Sequence, residues 1–463
     1  MTVCEEWGSW ASSLVVADLP PGVAERARLQ EASILAGARA GELDAAPFAA
    51  VAPDGPAGAV YRGAAASIAH DWDDYLYMGH TGHSAVWAAR ALAGDDPERA
   101  LAAQVAGNEL AGRLGAALFL GPHNGQFWAS IHCAGAAAAA GVALGLDARA
   151  LAHALAIALY QPPYGLMPGF MGPPTKLLTA AEPAAAGVRA ALLAADGVTG
   201  ALDVVEAPDG LLRHFAYAAR PGMLGALGQV WLTDTLAFKS RPGCAYVQAA
   251  VDGALRAGAA AEDVERVSVD AGLLTVAMER EGARAGLTPV GVNFSVARSV
   301  AVALVAGRLT PAELAPAWLD EHAGEIEALA ARVRVRHDWT LTLKGARGVV
   351  DAGAAVGDVP LSAMPALVRR ARDIGNVGGR ADAGVATEAW RLLRRARGTG
   401  GDLASLDTAR LRLDFPCRVR IHLRCGDRLE ADGVDEGACG APLDEQRAVV
   451  AAKEALVSGQ AVA

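Results

Sequence analysis

The chain reads as a mostly α protein, a large all-helical domain joined to a second, smaller α+β domain. Three observations predict this. At 463 residues the chain exceeds what one ordinary hydrophobic core organises. Hydrophobic residues make up 53% and aromatics only 5%, so the apolar content is largely alanine, which favours closely packed helices. Period-two alternation, the mark of strands, begins only after about residue 236.

The first half reads as helix after helix. Pro97 stands at a helix start, and Glu98 to Gly115 follows as an Ala- and Leu-rich helix. Ala134 to Leu144 is Ala-rich on every side, as a helix surrounded by protein would be. Asp147 is placed to cap a helix over Ala148 to Tyr160, and Glu182 to Ala195 forms another. Beyond residue 236, alternation predicts strands at Arg266 to Asp270, Arg332 to His337, Thr340 to Leu343 and Arg418 to Leu423. The last of these runs into a hairpin turn at Cys425-Gly426-Asp427-Arg428. Helices are expected between them at Ala245 to Arg256, Phe294 to Ala306 and Glu388 to Arg397. Gly-rich loops are expected at Gly375 to Gly379 and Gly398 to Gly401. This gives a helical domain over 1–236 and an α+β domain over 237–440. A final helix within 441–463, Leu443 to Val457, would pack back on the first domain.

Composition narrows the function classes. A net charge of −10 argues against a nucleic-acid partner, which needs a basic surface. A small anionic substrate stays compatible, because a pocket can be locally positive. The six cysteines include no CxxC pair, so neither a disulfide framework nor a zinc or iron–sulfur ligand set is suggested. HExxH, GxSxG and GxxxxGK[ST] patterns are absent. Met1 to Trp10 carries two acids and no basic stretch, and the apolar run Cys133 to Leu146 is too short to span a bilayer. The expectation is a cytoplasmic protein without a membrane partner.

Lysine is the rarest chemistry here. Of 41 Lys+Arg, only Lys176, Lys239, Lys344 and Lys453 are lysine. A retained lysine offers a compact ammonium that can lose its proton, which arginine cannot do. Four segments carry polar chemistry. His70-Asp71-Trp72-Asp73-Asp74, with His80 and His83, could form an acid–base site, or a solvated loop in which an Asp caps a helix starting near Ser84. His123-Asn124-Gly125-Gln126-Phe127-Trp128, with His132, reads alone as a surface turn. Gln161 to Leu178 (QPPYGLMPGFMGPPTKLL) holds Tyr164, Phe170 and two methionines before Lys176. Its prolines and glycines forbid a regular helix, and it looks like a pocket wall or a long packed loop. Phe238 to Tyr246 (FKSRPGCAY) sets Lys239 and Arg241 ahead of a helix, as an anion site or an exposed hinge.

Together these segments resemble the MmgE/PrpD family, which includes 2-methylcitrate dehydratase and cis-aconitate decarboxylase. The resemblance is carried by HDWDDYLYMGHTGHSAVWAARALA, GVALGLD, TKLLTAAEPAAAGVRAALLAADGVTGAL, AFKSRPGCAYVQAAVDGAL and FPCRVRIHLRCGDRLEA. It implies a helical domain with an α+β lid, a homodimer, an active site between the two domains, and no metal or redox cofactor. It also implies acid–base removal of water or CO₂, or a proton shift, on a small carboxylate. By resemblance, Asp71, His80, Lys176 and Lys239 are the catalytic residues, and Arg113 matches a recurrent arginine. Gln126 falls where the family has a histidine, Gln248 where the lid helix often has one, Cys244 near a third, and Arg298 where a tyrosine is found.

Losing two imidazoles removes proton-transfer capacity. The apolar wall also departs from a tricarboxylate site, because each desolvated carboxylate needs a partner. The expected function is therefore a cofactor-independent lyase or isomerase acting on a carboxylate or other acidic molecule, bulkier and less charged than 2-methylcitrate. Trp72, His83, Arg113, Gln126, Trp128, Tyr164, Phe170, Arg241, Cys244, Gln248 and Arg298 would line the substrate. The alternatives are a cyclase or rearrangement enzyme of secondary metabolism that shapes an apolar substrate with Trp72, Trp128, Tyr164 and Phe170, and a binding protein without turnover.

Overall fold

Aspartates set ahead of alanine-rich runs start the helices. In a computed structural model, which describes residues 1–121, 127–353, 361–363, 365, 383–397 and 401–459, Asp96 accepts from the backbone of Arg99 and Asp147 from that of Ala150. Each satisfies a donor that the first helical turn leaves unpaired. The helices are α1 (Val3–Ser13), α2 (Pro21–Ala49), α3 (Gly55–Ile68), α4 (Gly82–Leu92), α5 (Pro97–Leu118), α6 (Phe127–Leu144) and α7 (Ala148–Tyr160), followed by Leu178–Ala195. The protein is mostly helical, with a smaller α+β region.

The helical core is built on small side chains. α6 lies between α5 and the Leu178–Ala195 helix. At Gly187 an added Cβ would come within 2.5 Å of the Cys133 carbonyl oxygen, so these two backbones touch because one lacks a side chain. The stretch Pro174–Ala195 has the length and mean hydropathy, 1.3, of a membrane span, but 67% of it is buried inside the protein. It reads as a core helix.

The second core forms around a sheet of order β4-β3-β5-β6, with β3 (Val264–Ala271), β4 (Val333–His337), β5 (Cys417–Leu423) and β6 (Arg428–Gly433). β3 runs parallel to β4, with Val267 opposite Val333, and antiparallel to β5, with Val267 opposite Ile421. The Ala245–Ala257 helix packs on β5 and β6. The cores exchange segments: Phe170 and Met171 join the second, while Leu403, Leu406, Leu411 and Cys439 join the first. The Leu443–Ser458 helix packs along α2. A two-stranded ladder, β1 (Asp74–Tyr75) against β2 (Ala237–Phe238), joins the acidic segment to the lysine-bearing one.

Three expectations need correction. Thr340 to Leu343 is helical, within Trp339–Val350, because Asp338 accepts from the backbone of Thr340 at 2.7 Å and caps the turn. A four-residue alternation is too short to outweigh that cap. The helix expected over Phe294 to Ala306 is two, Pro289–Phe294 and Val296–Ala306, broken at an extended Ser295 that caps the second. No aspartate caps α4; its N-cap is Thr81. Gly375 to Gly379 and Gly398 to Gly400 lie outside the described residues.

The tight contact at Gly187 predicts that Gly187→Ala destabilises the protein by about 1–3 kcal/mol through overpacking. Chemical denaturation would show this as a lower midpoint at unchanged slope.

Candidate active site

α3 ends at Ile68, and the chain from Ala69 to Asp73 forms no regular element before β1. Asp71 sits there at φ +50°, in the left-handed region that Asp tolerates better than most residues. Such a conformation costs energy and persists only where surroundings enforce it. The enforcement comes from outside the segment. Lys176 Nζ donates to the Ile68 carbonyl at 2.6 Å. Asn293 Nδ2 donates to that of Ala69 at 3.5 Å, and the Gly243 amide to that of His70 at 3.0 Å. Lys239 Nζ donates to the Asp71 carbonyl at 2.8 Å, Lys453 Nζ to that of Trp72, and the Lys239 amide to that of Asp73 at 3.3 Å.

The same ammoniums meet the carboxylates. Lys176 Nζ lies 2.9 Å from Asp71 Oδ2 and Lys239 Nζ lies 3.8 Å from Asp71 Oδ1. Lys176 thus reaches Asp71 as an ion pair, without the direction of a hydrogen bond, because Oδ2 has no hydrogen-bond partner among the described residues. Lys239 also donates to Asp73 Oδ1. Asp73 Oδ2 then pairs with both His80 Nδ1 at 2.7 Å and His83 Nε2 at 2.9 Å. His83 continues to Ser67 at 2.8 Å, and its ring lies 5.9 Å from that of His132, which meets Ser84 at 3.2 Å.

Burial alone would raise the Asp73 carboxyl. The Lys239 ammonium and His80 outweigh it and hold Asp73 well below the usual carboxylate range. Burial also opposes the charge on Lys239, but Asp73 and Asp71 raise its pKa above the ordinary lysine value. Asp74, buried beside Asp73 and bonded to Gln30 at 2.7 Å, is pushed up by burial and by the Asp73 charge. Burial and then His83 and His80 drive His132 well below the usual histidine value. Adjacent aspartates are thus held in opposite directions, a pattern common where acid and base roles are divided. His70 Nδ1, Trp72 Nε1, Asp74 Oδ1 and Asn293 Oδ1 are also buried without a hydrogen-bond partner among the described residues. Such groups are rare in folded proteins and collect at functional sites.

Asp71, His80, His83, Lys176 and Lys239 are brought together, and Cys244 is close. Burial and then Asp71 push the Cys244 thiol up to about 12. His80 and Asp71 keep 13% and 8% of their side-chain surface, whereas both lysines keep none. The cluster is thus least covered at His80 and Asp71. Phe170 packs on Phe294 at 5.1 Å, and Phe294 lies 5.3 Å beneath the Lys176 ammonium, so Phe170 backs the lysine from behind.

Other residues expected to line the substrate are engaged by partners within the protein. All donor positions of Arg113 are used: it pairs with Glu109 and holds the carbonyls of Gly225, Ala226 and Val230. It clamps a loop. Gln248 staples the turn before its own helix, donating to Arg241 and Gly243 carbonyls and accepting from the Arg241 amide. Arg241 reaches Asp252 at 3.6 Å, Arg298 reaches Glu327 at 3.0 Å, and Tyr164, 45% exposed, stands edge-on to Phe215. Among the described residues, the partners given for Arg241, Arg298 and Tyr164 lie outside the acidic segment. The Trp72 indole is fully buried with the Lys453 ammonium 4.8 Å from its ring, so it presents no face to a ligand. Gln126, His123 and the Trp128 side chain lie outside the described residues.

Three participants had not been singled out. Asp73 is the hub joining Lys239 to both histidines, and only its place in an acidic run hinted at it. Lys453 was signalled by the scarcity of lysine. Asn293 had no signal in the sequence. Among the described residues no three His, Cys, Asp or Glu side chains are grouped as metal ligands would be. Among the described residues, a cavity of about 660 Å³ is lined by Ser240, Arg241, Arg308 and residues of the Leu443–Ser458 helix, with no acidic-segment residue in its lining.

Comparison with known proteins adds one match. Residues 54–222 match the family model described as the MmgE/PrpD N-terminal domain. That span contains the acidic segment, His80, His83 and Lys176, while Lys239 and Lys453 lie beyond it. No curated protein matches the chain.

Burial lowers the Lys453 ammonium from the ordinary 10.5 to about 7. Between those values the unfolded chain binds the proton and the folded one does not, so folding stability from this group rises with pH. Measured against Lys453→Met, wild-type stability should gain about 1.4 kcal/mol per pH unit across that window. Denaturation of both proteins at several pH values checks the slope.

Proposed function

We propose that this chain, whose residues 54–222 match the N-terminal domain of the MmgE/PrpD family, a family whose members are typically lyases such as dehydratases, is a cofactor-independent lyase or isomerase acting on an organic carboxylate. The observation that carries this reading is the Asp73 carboxylate, shared between His80 Nδ1 and the Lys239 ammonium. A carboxylate on one ring nitrogen orients an imidazole and supports the charge it gains on taking a proton. Asp73 thus makes His80 a general base with a positive field behind it.

In a dehydration, His80 takes the proton from the carbon next to the substrate carboxylate. The C–H electrons form the double bond as the C–O bond breaks, and the departing hydroxide gains a proton to leave as water. The proton that His80 has taken is the one the hydroxide carries away, which returns the imidazole to its starting form, while Asp71 holds Lys176 in place beside the reacting carbon. Lys176 and Lys239, fixed before substrate arrives, lower the cost of negative charge building on the carboxylate. Their burial strengthens that effect. The apolar Gln161 to Leu178 segment, whose Phe170 stands behind Lys176, favours a substrate bulkier and less charged than 2-methylcitrate. The cyclase reading draws less support, because Trp72 and Phe170 are committed to packing.

The test is a panel of 2- and 3-hydroxy acids of increasing apolar bulk, with 2-methylcitrate and cis-aconitate, followed by loss of substrate and by deuterium uptake from heavy water. Turnover is expected on a bulky monocarboxylate or dicarboxylate. His80→Gln and Asp73→Asn should each lower it by about 10²–10⁴-fold. Undiminished turnover in His80→Gln would remove the base assigned here, and family-typical rates on 2-methylcitrate would remove the altered substrate class.

A further inference from the structure

Lys453 belongs to a helix that the chemistry above does not use. The Leu443–Ser458 helix packs along α2, and its Lys453 side chain is 1% exposed. The ammonium donates to Ser33 Oγ at 3.0 Å and to the Trp72 carbonyl, and lies over the Trp72 ring. An added Cβ at Gly37 would stand 2.9 Å from that same carbonyl and 3.6 Å from Nζ, so α2 keeps a glycine where the lysine and the carbonyl meet. Burying a lysine so completely costs free energy that an apolar residue would not. A helix seeking only adhesion to α2 gains nothing from it.

Trp72 O is flanked by the two residues that matter most. Asp71, just before it, holds φ +50°. Asp73, just after it, pairs with Lys239, His80 and His83. Rotation of the Trp72–Asp73 peptide would turn both carboxylates away from their partners. The titratable groups whose charges act on Lys453 are Asp73, Asp74 and Lys239. A lysine donates through N–H in its charged and its neutral form, so the grip on the carbonyl survives across neutral pH.

We propose that Lys453 is a positioning residue of the acidic segment: by holding the Trp72 carbonyl it fixes the turn that aims Asp71 at Lys176 and Lys239 and Asp73 at His80. This rests on reading that segment as the active site, but its test does not need a substrate. Because the chain has four lysines, the full-length protein labelled at lysine Cε and Nζ gives four resolvable side-chain signals. In Lys453→Met the signals of Lys176 and Lys239 should move in the direction they take in Asp71→Asn, while Lys344 stays in place. Folded Lys453→Met with Lys176 and Lys239 unmoved, whatever happens to its melting temperature, overturns the proposal and leaves Lys453 a packing residue.

A second measurement uses the unaltered protein and covers a variant that fails to fold. Trp72–Asp73 is the one Trp-Asp pair in the sequence, so carbonyl-labelled tryptophan with nitrogen-labelled aspartate isolates that peptide. Scalar coupling between its carbonyl carbon and Lys453 Nζ supports the grip; a carbonyl coupled to no lysine overturns it. Loss of turnover on every acid in the panel, with these signals as expected, would sink the proposed reaction and leave the positioning role standing.

Discussion

Six consecutive carbonyls, from Ile68 to Asp73, are each held by a donor that lies far away in the chain. That constraint organises the rest. A segment with no helix or ladder of its own to satisfy its backbone would ordinarily go to the surface. Here it is buried because lysine ammoniums, an asparagine and two amides replace the missing partners. The left-handed Asp71, the convergence of carboxylates and ammoniums, and the join between the two cores all follow from that substitution.

Lysine suits this task for a physical reason. An ammonium is a compact point charge with three donors that can turn toward a carbonyl and a carboxylate at once, as Lys239 does with Asp71 and Asp73. A planar guanidinium would impose its own fork geometry. Arg113 illustrates the contrast: its fork suits a fixed ring of carbonyls plus one carboxylate, a structural clamp. Three aspartates face three lysines at the acidic segment, yet unevenly. Asp73 has an ammonium on one oxygen and two imidazoles on the other, whereas Asp74 has an amide on one oxygen and, among the described residues, no hydrogen-bond partner on the other. Neighbouring carboxyls can therefore differ in basicity without any difference in residue type.

Much of the fold was legible in the sequence because helix signals are local. Asp96 with Pro97 and Asp147 each announce a helix within four residues, and β3 and β5 show alternation or apolar density over their length. Thr340 to Leu343 misled because four residues cannot separate the two periods, and the cap that decides is two residues upstream. The site was legible in part. The lysines at 176 and 239 were visible as rare residues beside unusual segments, and they do meet on Asp71. Arg113, Gln248 and Arg298 were assigned by resemblance of position, and position does not reveal that Glu109, the Arg241 backbone and Glu327 already occupy them. Asn293 was invisible, since nothing in a sequence reports which distant amide will reach a carbonyl.

The distances along the chain have a consequence for assembly. Lys176 reaches the segment across 108 residues, Lys239 across 168 and Lys453 across 381. Closing loops of that length costs more entropy than joining near neighbours in sequence and comes later in folding. The acidic segment is therefore set only once three distant lysines have docked on it, after the contacts that need only short loops.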